Sequence, residues 1–324
     1  MKFLLRRLGF YLTAAWASVT LAFFIPRLMP GDPARAMFAR FRGRLAPEAI
    51  TALRAAFGFS DAPLGKQYLQ YLAHAARGDF GISISYYPAS VGSVIAQALV
   101  WTIFLSGVAV LIAFVVGTLL GVLAAWKRGG WLDSALPPVL TLLGAFPYFW
   151  LAMAALFIFG FGLGWTPLRQ AYDDRLAPGF NLAFFGSVIQ HAVLPAATIV
   201  VATAGGWMLS MRGTMINVLS QDHVLFAHAR GLSPRRIMFQ YAARNALLPN
   251  VAGFGMALGF VLSGSLLTEI VFSYPGQGYL LFRAVKSLDY PLIQGLFLTT
   301  TLAVLGANWL VDVVATWLDP RTRT

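Results

Sequence analysis

Histidines and acidic side chains are the groups best able to do chemistry in this sequence, and they are sparse. The four histidines are His74, His191, His223 and His228. His223 and His228 are five positions apart, so they do not share one helical face as a pair of metal ligands should. His191 stands by itself near the start of a predicted membrane helix. The sequence therefore favours histidines that pack in the core or at an interface, and it predicts no metal site.

Motifs of nucleotide-binding proteins are incomplete. Asp79 lies in a Gly-Asp-Phe-Gly stretch that matches part of the protein-kinase signature, but no glycine-rich loop or catalytic loop accompanies it. Gly65 and Lys66 are followed by Gln and lack the upstream glycines of a Walker A loop. The chain has no cysteine, which excludes thiolate metal ligands and a cysteine nucleophile. We expect no cofactor in this chain; if its function uses ATP, another polypeptide must hold the nucleotide.

Acidic residues at membrane depth would indicate an ion-coupled secondary transporter, one of the function classes open to a membrane protein. Glu269 and Asp312 are the candidates, and both lie at the ends of predicted spans rather than at mid-bilayer. This placement favours a structural or interfacial role for both carboxylates. A membrane-embedded hydrolase needs catalytic groups at the same depth, and the spans offer none. We therefore expect a protein that is not an enzyme.

The amino-acid composition indicates whether the chain folds in water or in a membrane. Of 324 residues, 58% are hydrophobic, 14% are aromatic and 11% are charged, with a mean hydropathy of +0.70. Soluble domains carry about 25% charged residues, so the sequence predicts an integral membrane protein. Its net charge of +12 is interpreted as cytosolic loops facing anionic membrane lipid rather than as nucleic-acid binding.

Six windows of 18 or more residues lack Asp, Glu, Lys and Arg, which is long enough to cross a bilayer. We predict an all-α membrane protein with six transmembrane helices, near 8–27, 98–125, 134–163, 188–211, 246–270 and 291–313. Lys and Arg number 12 in the loops assigned to the cytosol and 4 in the short outer loops. The positive-inside rule applies to short loops, so the long segment 27–97 is left out of this comparison. The excess of Lys and Arg then places both the N-terminus and the C-terminus in the cytosol.

The predicted organisation follows from these spans. The ranges are 1–27 for the N-terminus and first helix, 28–97 for a small outer-face domain, 98–318 for a five-helix core with a cytosolic loop at 212–248, and 319–324 for a cytosolic tail. Short helices are expected over 47–57 and 68–76 in the outer domain.

Small residues and prolines indicate how the spans pack. Gly117 and Gly121 have small-xxx-small spacing, as do Gly255 and Gly259, which lets helix backbones approach closely. Four prolines are expected to interrupt helices, with neighbouring groups satisfying the freed carbonyls; they are Pro137, Pro138, Pro147 and Pro195.

The cytosolic loop interleaves arginines with aromatic and aliphatic residues. Ser233 followed by Pro234 is typical of a helix start, so the loop is predicted to form a helix, a Gly-Leu turn and a second helix. An apolar strip beside arginines fits an amphipathic helix on the membrane surface. It fits a docking element for a soluble partner equally well.

Motifs along nearly the whole chain resemble the dipeptide/oligopeptide/nickel permease family of binding-protein-dependent ABC importers, in its first-permease type. Two are in the cytosolic loop, Ala-Arg-Gly-Leu-Ser-Pro at 229–234 and Arg-Asn-Ala-Leu-Leu-Pro-Asn at 244–250. The others, in order, are at 28–33, 77–81, 121–125, 269–278, 289–295 and 319–321.

The resemblance implies that the cytosolic loop couples the chain to an ATPase. The residues it assigns to this loop are Phe226, Ala227, Ala229, Arg230, Gly231, Leu232, Ser233, Pro234 and Arg235. Where the loop's Glu-Ala-Ala would stand, this chain has Leu-Phe-Ala, so an acidic contact is not expected. The implied assembly, in the bacterial inner membrane, has a second homologous permease, two ATP-binding subunits that hold ATP and Mg²⁺, and an extracytoplasmic solute-binding protein.

The segment 271–290 has two interpretations. It is either a loop that faces the receptor, which is the solute-binding protein, or a plain connection between two helices. The residues that would face the receptor are Tyr274, Pro275, Gly276, Gln277, Gly278 and Tyr279. Members of the resembled family carry peptides, oligosaccharides or nickel chelates. Peptides are the first expectation, with the other two as alternatives.

Overall fold

The computed structural model describes residues 2–28, 62–261 and 266–318. Every named element in these ranges is a helix, and one isolated antiparallel bridge joins Ile82 and Ser90. The chain divides into two compact units. Unit 1 comprises 1–102, 262–266 and 275–324, and unit 2 comprises 103–261 and 267–274. The all-helical prediction is confirmed for the described residues.

The helices are numbered in chain order. They are α1 Lys2–Leu28, α2 Leu64–Ala76, α3 Val91–Thr102, α4 Val108–Trp126, α5 Trp131–Ala145, α6 Tyr148–Ala155, α7 Leu182–Leu219, α8 Asp222–Ala229, α10 Leu248–Val261, α11 Leu266–Val271, α12 Gln277–Lys286 and α13 Tyr290–Leu318. The composite helix α9 consists of three consecutive pieces. An α-helical turn, Pro234–Arg236, is followed by the π-helical stretch Ile237–Ala243 and by a second α-helical turn, Arg244–Ala246. Further π-helical turns, Ile103–Gly107 and Leu156–Gly162, follow α3 and α6.

Within the described residues, four helices are long and apolar enough to cross a membrane, and a fifth span results if the bent pair α5 and α6 counts as one. The four are Gly9–Leu28, Val91–Trp126, Leu182–Leu219 and Tyr290–Trp309. The predicted span 246–270 includes residues 262–265, which lie outside the described part of the chain. The count of six therefore stays a prediction. Helix α2 contains the helix predicted over 68–76, whereas 47–57 is outside the described residues.

Unit 1 is held together by α1, α3, α12 and α13. The core between α3, α12 and α13 contains Val91, Ile95, Leu280, Leu292 and Ile293, all nearly inaccessible to solvent. Successive turns of α3 and α12 thus pack with the start of α13 around one apolar centre, as helices with one apolar stripe require.

Unit 2 is built on the close packing of α4 against α7. A Cβ on Gly117 would collide with the Ala204 carbonyl oxygen, and one on Gly121 would lie 2.6 Å from the Met208 carbonyl oxygen. Only hydrogen fits there, so the two helix backbones touch directly. The prediction that Gly117 and Gly121 mediate close helix packing is confirmed.

The prolines behave differently from one another. Phe146, which precedes Pro147, has an extended backbone (ψ 136°), and α5 and α6 meet there at 93°. A residue before proline is pushed out of the helical region by the proline ring, which accounts for this break. The predicted interruptions at Pro137, Pro138 and Pro195 were wrong, because α5 and α7 continue through them. Pro195 is buried in α7, where packing overrides the lost backbone hydrogen bond.

Candidate functional site

The segment from α8 to α9 contains the predicted coupling residues and forms a helix, a turn and a second helix. Gly231 ends α8 with a left-handed backbone (φ +68°). Its N–H donates to the His228 carbonyl oxygen at 2.9 Å, and the Leu232 N–H donates to the Ala227 carbonyl oxygen at 3.3 Å. This pair of bonds is the Schellman motif, in which glycine is the preferred residue. Pro234 then occupies the first turn of α9, so the predicted helix-turn-helix is confirmed.

The inner side of this segment is fixed to the main helices of unit 2. One buried cluster joins residues from α4, α7, α8 and α9; it includes Val122, Met211, Met215, Val224, Ala227, Ile237 and Met238. Ile237, Met211 and Met215 have no exposed surface. One apolar side of the segment is thus buried against its own chain. Both interpretations of the loop, a membrane-surface helix and a docking element, therefore concern its other side, which is exposed.

Two histidines reinforce the attachment. His223 Nε2 lies 3.3 Å from the Tyr241 carbonyl oxygen and 3.0 Å from Asn245 Nδ2, which itself donates to the Tyr241 carbonyl oxygen at 2.9 Å. The His228 ring stacks on Trp126 with ring centroids 6.3 Å apart. These contacts join α8 to α9 and to the end of α4. Both histidines have the interface role that the sequence favoured.

The outer side of the segment is apolar and basic. Leu225 and Phe226 are 56% and 68% exposed, and Phe239 is 47% exposed. The exposed charges are Arg230, Arg235, Arg236 and Arg244, with Asp222 as the acidic residue of the loop. We call these exposed residues of 222–244 the docking surface. Of the predicted coupling residues, Ala227 is buried, Leu232 is half-buried and the other seven are exposed.

A buried amide on α10 was missed by the sequence analysis. Asn250 of α10 is 1% exposed. Its Nδ2 donates to Thr118 Oγ1 at 3.2 Å and to the Trp207 carbonyl oxygen at 3.1 Å, and its Oδ1 accepts from Ser210 Oγ at 2.6 Å. The side chain thereby joins α4, α7 and α10. The available signal was an amide inside an otherwise apolar predicted span.

An ion pair at the start of α5 was also missed. Asp133 and Arg212 were both assigned to cytosolic loops, yet Arg212 lies in α7 and its Nε is 2.5 Å from Asp133 Oδ1. The second carboxylate oxygen accepts the Gly129 N–H at 2.9 Å. The signal was an opposite-charge pair at the two ends of predicted spans.

In the segment proposed to face the receptor, most of the predicted residues are buried. Tyr274 has no exposed surface, Gly276, Gln277 and Gly278 are buried, and Pro275 and Tyr279 are half-buried. Burial raises the pKa of the Tyr274 hydroxyl. The exposed side chains of this segment are instead on α12; they are Phe282, Arg283, Val285 and Lys286.

The loop before α3 is anchored by a buried carboxylate. Asp289 Oδ2 accepts from Ser83 Oγ at 2.5 Å and from the Ser85 N–H at 2.8 Å, while Oδ1 accepts the Leu292 N–H of α13. The kinase-like Asp79 has a local role, because it accepts the Gly81 N–H at 3.0 Å and contacts His74. The Gly81 hydrogen bond, with a smaller effect of His74, holds the pKa of Asp79 below its ordinary value.

Chemistry at a metal centre finds no support in the part of the chain that the structure describes. No group of three or more His, Cys, Asp or Glu side chains comes together there. His191 is bonded through Nδ1 to the Ser187 carbonyl oxygen at 2.8 Å. The arrangement can hold helices together and present a surface to a partner.

Comparisons with known proteins agree with this picture. Residues 117–324 match the model of the family described as binding-protein-dependent transport system inner membrane component. The chain is 34% identical to the di/tripeptide transport system permease protein DppB of Pseudomonas aeruginosa, over 100% of this chain and 99% of the relative. It is 35% identical to the oligopeptide transport system permease protein OppB of Haemophilus influenzae, with the same coverage. It is also 32% identical to the dipeptide transport system permease protein DppB of Escherichia coli, again over 100% and 99%.

Proposed function

The chain belongs to the family of binding-protein-dependent transport system inner membrane components, and from this membership we propose that it forms one half of the translocation pathway of a peptide-importing ABC transporter. It is a multi-pass protein of the bacterial inner membrane. The second half of the pathway comes from a homologous permease. Two partner subunits bind and hydrolyse ATP, and an extracytoplasmic binding protein delivers the solute.

The docking surface is the observation that carries this proposal. A subunit without its own nucleotide site needs a rigid contact through which an ATPase can move it. The outer side of α8 and α9 exposes Phe226 and several arginines, residue types enriched at protein interfaces. The inner side is buried against α4 and α7. Closure of the ATPases would therefore displace the docking surface and the long helices together, which is the rigid-body movement that alternating access requires.

The character of this contact differs from an acidic one. Leu225 and Phe226 occupy the positions where the family's loop has Glu-Ala, and both side chains are more than half exposed. When a partner covers an apolar side chain that is exposed to this extent, the removal of its surface from water stabilises the complex. The proposed contact to the ATPase is thus apolar at α8 and basic at the turn.

The proposed topology has six spans, with both termini and the docking surface in the cytosol and the segment 28–97 outside. Its support is the excess of Lys and Arg in the short loops on one side. On the outer side, the binding protein would meet the exposed face of α12 at Phe282, Arg283 and Lys286. Tyr274 and Gln277 are buried, which leaves α12 as the exposed part of this segment.

Peptide is the proposed solute because the similar proteins are named as dipeptide, di/tripeptide and oligopeptide permeases. Oligosaccharides and nickel chelates are the alternatives. Selection by a separate binding protein allows the pathway itself to be weakly selective, which fits spans that are poor in charge.

Reconstitution of the complete importer in liposomes tests the proposal. The chain, the partner permease, the ATPases and the binding protein are purified together, and uptake of a radiolabelled dipeptide is measured with and without ATP. The double variant Leu225→Ser/Phe226→Ser should release the ATPase subunits and reduce uptake about tenfold. Phe180→Ser is the matched control, because Phe180 is fully exposed in a segment assigned to the outer side.

Two results would contradict the proposal. ATPases that remain bound and coupled in the double variant would show that the docking surface is elsewhere. Uptake by this chain alone, driven by an ion gradient, would show a secondary transporter instead.

A further inference from the structure

A single carboxylate joins three pieces of unit 2. Asp133 Oδ1 bonds to the Arg212 guanidinium of α7, and Asp133 Oδ2 accepts the Gly129 N–H of the turn between α4 and α5. Asp133 itself lies in the first turn of α5. Its side chain is only 8% exposed, and that of Arg212 is 28% exposed. The pair is therefore mostly shielded from water, unlike the exposed ion pairs whose contribution is small.

A second contact between the same two helices lies farther along them. A Cβ on Gly205 of α7 would lie 3.0 Å from the Leu140 carbonyl oxygen of α5. Gly205 is seven residues before Arg212, and Leu140 is seven residues after Asp133. Seven residues are two turns, about 10.5 Å of helix. Helices α5 and α7 are therefore antiparallel neighbours that meet at two points, one through backbone packing and one through charge.

The other end of each helix shows what this attachment can transmit. Met211 and Met215, the neighbours of Arg212 on α7, belong to the buried cluster that holds α8 and α9. Helix α5 ends at Ala145, and after Phe146 the chain turns by 93° into α6. The ion pair is the contact through which a displacement of α7 reaches the start of α5, while the packing at Gly205 acts farther along α5, nearer the bend.

We propose that Asp133 and Arg212 are positioning residues that make the bent α5–α6 pair follow the movement of α7 during transport. The inference rests on the proposed function, because it concerns how a movement imposed at the docking surface reaches the rest of unit 2. Without the ion pair, the docking surface and α7 still move, but the start of α5 no longer follows. ATP hydrolysis then continues while transport becomes inefficient.

The test compares variants of Arg212 in the reconstituted importer. The measured quantity is the number of dipeptides transported per ATP hydrolysed in the presence of the binding protein. Arg212→Gln should reduce this ratio about fivefold, within the range that substitutions in coupling networks produce. Arg212→Lys retains the charge and should stay within about twofold of the wild type. Asp133→Asn combined with Arg212→Gln should be no worse than either change alone, because residues that act as a unit are not additive.

Spin labels supply a readout that does not depend on the solute. The sequence has no cysteine, so cysteines placed at Leu142 of α5 and Leu209 of α7, both exposed, are the only ones in this subunit. In the wild-type complex the distance between the two labels should stay narrow and unchanged when ATP binds. In Arg212→Gln the distribution should broaden or shift with ATP. Asp174→Asn, which removes an exposed carboxylate of the 164–187 segment, is the control.

The outcomes separate two failures. A wild-type complex without binding-protein-stimulated ATP hydrolysis would overturn the proposed function. A coupled wild type together with a fully coupled Arg212→Gln variant, or equal ratios for Arg212→Gln and Arg212→Lys, would overturn the role of the ion pair. If Arg212→Gln does not assemble, an Arg212→Lys variant with unchanged ratio and label distance supports the proposal, and one that loses both contradicts it.

Discussion

The N–H of Gly231 donates to the carbonyl oxygen of His228, and the left-handed backbone of Gly231 (φ +68°) makes this bond possible. The turn directs the chain from α8 into α9, and Leu232 packs against the buried cluster immediately after it. No heavy atom lies within 4 Å of a Cβ placed on Gly231. The glycine is therefore required by backbone conformation rather than by lack of space.

Gly231→Val should uncouple ATP hydrolysis from transport. A side chain in the left-handed region costs about 1–2 kcal/mol, and a β-branched one is particularly unfavourable there. The turn should open and displace the docking surface. Gly213→Val in α7 is the control, since its Cβ also meets open space but its φ is not left-handed. The measurement is the ratio of uptake to ATP hydrolysis, and a normal ratio in Gly231→Val would show that the turn is not needed for coupling.

Gly121→Val should destabilise the subunit by about 1–3 kcal/mol, the usual cost of overpacking. Its Cβ would lie 2.6 Å from the Met208 carbonyl oxygen and 2.8 Å from Met211 Cβ, so α4 and α7 must separate. Gly206→Val, in the same helix pair but facing open space, is the control. Thermal unfolding in detergent measures the difference. Equal midpoints for the two variants would contradict the close packing of α4 on α7.

Asn250→Leu should cost about 2 kcal/mol, because Thr118 and Ser210 lose their partner where water is scarce. The exposed Asn217→Leu, on α7, should be nearly neutral. The same unfolding assay compares them. An Asn250→Leu protein as stable as the control would show that the amide contributes little to the joining of α4, α7 and α10.

Tyr71→Phe should stabilise the protein by about 1 kcal/mol. The Tyr71 hydroxyl is buried and has no hydrogen-bond partner among the described residues, so removing it relieves a desolvation penalty. Tyr68→Phe is the matched control with the opposite sign, because it removes the 2.7 Å bond between the Tyr68 hydroxyl and Thr20. Both free energies of unfolding are measured at neutral pH. A loss of stability in Tyr71→Phe would contradict the assignment.

The same tyrosine predicts a dependence on alkaline pH. Burial raises the pKa of Tyr71 from 10.0 to about 12. Between these values the unfolded chain releases the proton while the folded protein retains it, so stability falls as the pH rises through this window. Tyr71→Phe should flatten the curve between pH 10 and about 12. A curve of unchanged slope in the variant would show that this hydroxyl does not titrate differently on folding.

Local signals in the sequence predicted much of this structure. The glycine turn before Ser233 and Pro234 was correct because a turn and a helix start depend on neighbouring residues only. Gly117 and Gly121 were correct because their spacing allows close contact with any adjacent helix. The interruption expected at Pro195 was wrong, because burial in α7 decides it and burial is not a local property.

The polar links could not be predicted for a related reason. Asn250 contacts Thr118, and Asp289 contacts Ser83, across separations of 132 and 206 residues. Each side chain is ordinary in its local context and acquires a role only from a distant partner. The exposed face of α12 was not predicted either, since the helix that buries Gln277 and exposes Phe282 begins within the stretch 274–279, which was interpreted as a receptor-facing loop or a plain connection.

The exposed Phe226 and Leu225 have a consequence for how a cell makes this protein. On the proposed function, a subunit that reaches the membrane before its ATPases exposes these apolar side chains to the cytoplasm, where chaperones and quality-control proteases recognise such features. Orphan copies should thus be short-lived. Each subunit is then protected from degradation only when its partners are made in matching amounts. Assembly of the complex thereby decides which copies of the subunit persist.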